Sequence, residues 1–149
     1  DRAPDFTLQG VNGDGEEVTV TLSEVDGPVV LYFYPKDDTP GCTTQACGIR
    51  DEWSALKQTD ATVFGISPDD IPSHRKFSEK YDLPFTILSD PEGEAAEAYG
   101  VWQEKKMFGN TFMGVVRSTF IVDGEGTITE AWRKVKAKEH ADWLLEVLS

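Results

Sequence analysis

Hydrophobic and polar positions along the chain change period several times, and each change marks an element. The opening APDFTLQGVNGDGEEVTVTL alternates on either side of an Asn-Gly-Asp-Gly turn, which predicts a β-hairpin. PVVLYFY (residues 28–34) is a continuous apolar and aromatic run bounded by Gly27 and Pro35, the pattern of a strand buried on both faces. Two shorter runs, ATVFGIS (61–67) and FTILS (85–89), have helical patterns between and after them, at 43–58, 71–81 and 93–99. Such alternation predicts βαβ units. Further on, STFIVDGEGTITEAW reads as two strands joined around Asp123-Gly124-Glu125-Gly126, followed by a helix over 138–148. The expected fold class is α/β, a mixed central sheet with helices on both faces and an N-terminal β-hairpin. No linker, repeat or low-complexity tract interrupts it, so a single domain over residues 1–149 is expected.

Composition narrows the partners. The 27 acidic and 14 basic residues leave a formal charge of −13, which repels phosphate backbones and anionic lipid surfaces. Neither nucleic acid nor membrane is an expected partner, and no apolar run approaches the ~18 residues needed to span a bilayer. Two cysteines are too few for the disulfide framework of a small secreted domain, so the expected compartment is cytoplasmic.

Those two cysteines, Cys42 and Cys47, lie in YPKDDTPGCTTQACGIRD with four residues between them. Thr39 is a good N-cap, and Pro40 suits the first helical position, where a missing N–H costs nothing. Cys42 then falls in the first turn, where unpaired N–H groups and the positive end of the helix dipole favour a thiolate. Asp37 and Asp38 oppose this, so a compensating cation is needed. In an intact helix the Cα atoms of Cys42 and Cys47 would be roughly 8.6 Å apart, beyond the ~7 Å that a disulfide tolerates. Bridging them therefore requires the first turns to unwind, and Thr43, Thr44 and Gly48 are poor helix formers.

Other readings fit the spacing less well. A structural zinc site needs four closely spaced ligands, whereas His74 and His140 lie 27 and 93 residues beyond Cys47. A thioredoxin-type exchange pair would have two intervening residues. Core cysteines are common in general, but a helix N-terminus behind a Thr-Pro-Gly turn is a poor place to bury one.

Pro35-x-x-x-Thr39-x-x-Cys42 resembles the active-site signature of the peroxiredoxins, and Cys42 with Cys47 on one helix resembles the peroxiredoxin Q, or bacterioferritin comigratory protein, subfamily. SHRKFSEKYDLPFTILSD, AYGVW and RSTFIVD are similar to family segments in family order. The resemblance implies a thioredoxin-like fold and thiol-dependent reduction of hydrogen peroxide and organic hydroperoxides, without a metal or organic cofactor. It makes Cys42 the peroxidatic and Cys47 the resolving residue, joined in an intramolecular disulfide that a thioredoxin or similar dithiol reduces. No second chain is required for that bridge, so a monomer is expected.

By the same resemblance Thr39 presents a hydroxyl to the peroxide, Pro35 shields the sulfur from water, and Arg117, in RSTFIVD, is the needed cation. Charge alone leaves Arg50, Arg75 and Arg133 equal to Arg117, and Arg50 beside Asp51 also suits a local helix pair. His74 is expected to be a solvated or capping histidine. Aromatic residues between 99 and 112 are expected to pack, or to line an apolar approach for bulky hydroperoxides. Gln45 stands where many relatives have Glu, which removes a negative charge one turn from Cys42, and Gly48 should loosen the helix. A one-cysteine cycle using a small thiol is the nearest rival, ahead of a disulfide oxidoreductase or a binding module.

Overall fold

The computed structural model describes residues 2–148. The first hairpin pairs β1 (Thr7–Val11) with β2 (Glu17–Thr21). Its turn closes as predicted, because the Asn12 side-chain oxygen accepts the backbone N–H groups of Asp14 and Glu16, each at 3.0 Å. The central strands are β3 (Val29–Phe33), β4 (Thr62–Ser67) and β5 (Thr86–Ser89), all parallel. Across the sheet from them, β8 (Ser118–Val122) runs antiparallel to β3 and carries β9 (Ile128–Arg133) on its outer side. The order among the described residues is β2-β1-β5-β4-β3-β8-β9. This is the mixed sheet expected from the sequence.

Strand β3 is buried throughout and divides two cores by its alternation. Val29, Leu31 and Phe33 face a core with Phe120, Tyr99 and the alanines of α4 (Glu94–Ala98). Val30 and Tyr32, followed by Tyr34, face the opposite core, with Cys42, Ala46, Ile49, Phe77 and Leu144. That second layer is built from α1 (Pro40–Asp51), α2 (Trp53–Lys57), α3 (Ile71–Tyr81) and α5 (His140–Leu148). The expected helix over 43–58 is thus two helices, broken at Glu52, and the expected last helix starts with a 3-10 turn, Ala137–Glu139.

One element is absent from the sequence reading. Strands β6 (Trp102–Met107) and β7 (Asn110–Val115) form a separate two-stranded ribbon. Most of its side chains are exposed, so no apolar alternation marks it. Its turn residues Phe108 and Gly109 both have positive φ, 52° and 81°, as a tight two-residue hairpin turn demands. No helix among the described residues is long and apolar enough to cross a membrane.

The loop from Pro35 to Thr39, which carries the chain from β3 into α1, is fastened to α3. Asp37 is buried; its carboxylate accepts from Tyr34 Oη at 2.6 Å and Ser73 Oγ at 2.8 Å, and faces His74 Nδ1 at 2.6 Å. The other imidazole nitrogen, Nε2, donates to the Leu88 carbonyl at 2.9 Å. Since a carbonyl only accepts, the His74 Nδ1 to Asp37 contact must itself hold a proton. His74 is therefore a buried fastening, not the solvated or capping residue expected from its position on a helix. Asp38, in the left-handed region at φ 55°, pairs with Lys80 at 2.8 Å and accepts from Tyr81 Oη. Removing the carboxylate of Asp37 strands buried Tyr34 and His74 and half-buried Ser73, so Asp37→Ala is expected to cost about 3–5 kcal/mol in urea unfolding. Asp38→Asn, whose ion pair lies in solvent, should move the midpoint far less, and equal shifts would refute this account of the loop.

Candidate active site

Helix α1 opens where the sequence placed its start. Thr39 occupies the N-cap position in extended geometry, with Pro40 just inside the helix. The Thr39 side chain does not cap, contrary to expectation. Its Oγ1 donates to the Lys36 carbonyl at 2.9 Å, closing the tight turn that contains Asp38, while only its backbone carbonyl joins the helix, accepting the Thr43 N–H at 2.8 Å. Among the described residues the N-cap side chain takes none of the first-turn N–H groups, which leaves the helix start open to an anion beside Cys42.

Cys42 is 1% exposed, in the same buried cluster as Tyr32, Tyr34 and Ala46. A buried cysteine at this helix start was not expected; Val30 and Tyr32 of β3 and the following Tyr34 share its core. Both cysteines are free thiols within one unbroken helix, Cys47 being partly exposed. At helical spacing they are out of bonding range. Gly48 lies where α1 meets α5, and a Cβ there would fit in ordinary contact, 3.7 Å from the Cβ of Ala141, so the packing does not demand a glycine.

Of the arginines considered from charge, Arg117 is the one aimed at Cys42. It precedes β8, and its Nη2 donates to Cys42 Sγ at 3.2 Å. Its Nη1 donates to Gln45 Oε1 at 2.6 Å, so the planar fork is held at two points. Arg50 instead pairs with Asp51 at 3.0 Å and donates to the Tyr81 carbonyl, and Arg133 lies over the Phe120 ring. Pro35 is half-buried where the chain leaves β3. The acidic neighbours that seemed to oppose a thiolate have partners of their own, Asp37 in His74 and Asp38 in Lys80.

Sequence reasoning missed three residues around this centre. Gly41 permits the close approach of Arg117, since a Cβ there would lie 2.9 Å from Nη2. Lys105, on β6, is half-buried; burial and then the Arg117 charge lower its pKa, and the Cys42 sulfur acts in the opposite sense. His140 begins α5, fully buried, between Gln45 Nε2 at 3.0 Å and Thr119 Oγ1 at 2.8 Å. No local pattern signals any of these, because each acts across elements distant in sequence. The aromatic stretch divides: Tyr99 packs in the core, while Phe108 and Phe112 are exposed on the ribbon with Met113. Tyr32 Oη is the one buried side-chain polar atom without a hydrogen bond among the described residues.

Burial, followed by the charge of Arg117, holds the His140 pKa down to about 3. In the unfolded chain this imidazole titrates near 6.5. The unfolded state therefore binds the extra proton between these values, and stability should fall as pH drops below about 6.5 towards 3. The contribution is on the order of 1 kcal/mol per pH unit. Urea unfolding of the wild type and His140→Gln at pH 7, 5.5 and 4.5 measures it. The variant should show the shallower acid slope; parallel slopes would contradict the assignment.

Comparison with known proteins bears on this arrangement. The model of the AhpC/TSA family matches residues 1–131. Peroxiredoxin Bcp of Bacillus subtilis is 49% identical over 148 residues, covering 99% of this chain and 92% of that protein. Peroxiredoxin Bcp of Escherichia coli is 42% identical over 149 residues, covering 99% and 93%. Among solved structures, a Cys-to-Ser mutant of Xylella fastidiosa PrxQ superposes with a TM-score of 0.88 at 33% identity, covering 99% of this chain and 94% of that one. The bacterioferritin comigratory protein of Xanthomonas campestris, described for its alkyl peroxide reduction activity, superposes at 0.85 with 37% identity, covering 95% and 89%. The fold is thioredoxin-like, and the chain belongs to the AhpC/TSA family as a peroxiredoxin of the Bcp/PrxQ kind, a thiol-dependent peroxidase that reduces peroxides at the expense of a thiol.

Proposed function

We propose that Cys42 is the peroxidatic residue, Cys47 the resolving residue, and Arg117, Thr39 and Pro35 their immediate support. The observation that carries this reading is the Arg117 Nη2 to Cys42 Sγ contact of 3.2 Å at an uncapped helix start. The Cys42 thiolate attacks the terminal oxygen of the hydroperoxide, forming an S–O bond as the O–O bond breaks. Cys42 leaves as a sulfenic acid, and the alkoxide or hydroxide takes up a proton. Arg117 stabilises both the entering thiolate and the charge growing on the departing oxygen. Thr39 orients the peroxide from the loop, and Pro35 keeps water from the sulfur.

Helix α1 then opens, and the Cys47 thiol displaces the sulfenic hydroxyl as water to give the intramolecular disulfide. An external dithiol of the thioredoxin type returns two electrons and two protons, itself becoming a disulfide. The cycle needs no metal or organic cofactor. One chain holds both cysteines, which favours a single-domain monomer, and a cytoplasmic setting would keep the reductant reduced. Alkyl hydroperoxides join hydrogen peroxide as substrates, a choice supported by the activity described for the Xanthomonas campestris relative.

One equivalent of hydrogen peroxide added to the reduced protein should remove two thiols and two hydrogens per chain within seconds, as read by intact mass. Cys47→Ser should instead gain one oxygen, and Cys42→Ser should not react rapidly. Full steady-state turnover by Cys47→Ser with a dithiol would move the assignment to a one-cysteine cycle. Arg117→Met should slow the peroxide step by about 100-fold or more; an unchanged rate would remove Arg117 from the site.

A further inference from the structure

We propose that His140 is a positioning residue for peroxide attack, acting through Gln45 to hold the Arg117 fork on Cys42. The inference rests on the reading of Cys42 as the attacking thiolate. It follows from the direction of each hydrogen bond along Thr119, His140, Gln45, Arg117 and Cys42.

A guanidinium only donates, so the group of Gln45 that meets Arg117 Nη1 at 2.6 Å must be the amide oxygen. The Gln45 NH2 therefore points to His140 Nδ1 at 3.0 Å, which must accept. An imidazole that accepts at Nδ1 carries its proton on Nε2, and that N–H donates to Thr119 Oγ1 at 2.8 Å. Every direction in the chain is thus set from the Arg117 end. Gln45 and His140 are both fully buried, so water does not substitute for either partner. Without an acceptor at Nδ1, the buried Gln45 amide would have no reason to keep its oxygen towards Arg117. The fork would then lose one of its two fixed points, and small displacements of a group that stabilises developing charge are costly.

The same chain bears on the opening of α1. Gln45 lies between Cys42 and Cys47, so the segment that unwinds to join them includes it. Opening breaks its bonds to both His140 and Arg117, and refolding of the reduced helix restores them together. His140 itself stays with α5 and β8, outside the moving segment.

The test is the rate of the first step, the reaction of reduced protein with hydrogen peroxide under single-turnover conditions, together with the rate at which dithiothreitol reduces the preformed disulfide. His140→Leu, which lacks the acceptor, should slow the peroxide step by about 10- to 100-fold and leave disulfide reduction near the wild-type rate. His140→Gln supplies an acceptor and a donor again and should recover most of the loss. Gln45→Met should be slowed like His140→Leu, and the double variant should be no slower than Gln45→Met, because both act through one contact. A wild-type rate in folded His140→Leu, equal losses in His140→Leu and His140→Gln, or additive losses in the double variant would overturn the proposal. If His140→Leu does not fold, Thr119→Val removes the acceptor at the far end of the chain. A slowed peroxide step then supports the proposal, and an unchanged one overturns it. Rapid reaction of Cys42→Ser with peroxide would show instead that the underlying assignment of Cys42 is at fault.

Discussion

The sulfur proposed to attack peroxide, that of Cys42, is buried yet sits beside positive charge, 3.2 Å from Arg117 Nη2. Much of the surrounding structure can be understood as its support. Burial of Cys42 makes an uncompensated anion expensive, and the Arg117 fork supplies a compensating charge beside it, at the positive end of α1. Gly41 clears the way for the guanidinium, and Gln45 holds its other arm. The charges of Asp37 and Asp38, so close in sequence, are drawn off into pairs with His74 and Lys80.

A second constraint comes from having both cysteines on one helix. An intact α1 keeps them too far apart to bond, so in the proposed cycle attack uses the closed helix and resolution the open one. The packing divides accordingly. The loop before α1 is fastened on a buried Asp–His pair, and the helix after Gly48 leans on Ala141 of α5. Between them, the turns from Cys42 to Cys47 combine weak helix formers with a network of directed hydrogen bonds that can be broken and remade as a unit. The loop and β8 would remain in place while the middle moves.

Local chemistry made much of this legible in advance. The Asn12 and Asp123 turns, the buried run of β3 and the span of α3 all appear from residues next to one another, where turn geometry and periodicity act over a few positions. The start of α1 likewise follows from Thr39 and Pro40. The ribbon β6–β7 did not appear, because it contributes little to a core and so carries no apolar alternation. Thr39 illustrates a subtler limit: its position was right, but the hydroxyl serves the Lys36 turn in place of the helix.

What the sequence by itself determined was the succession of core strands and helices apart from the β6–β7 ribbon, the two-cysteine helix and the residues able to do thiol chemistry, since these depend on short-range pattern and residue type. Charge and spacing left several arginines equal and only a family resemblance singled out Arg117; the tertiary structure supplied its contact with the sulfur, the burial of His74 and the place of His140 behind Gln45. Arg117 lies 75 residues from Cys42, and His140 lies 95 from Gln45. Contacts over such separations come from how β8 and α5 pack against α1. Spacing along the chain carries no record of them, because a charge or an imidazole looks the same in sequence whether solvent or a buried partner awaits it.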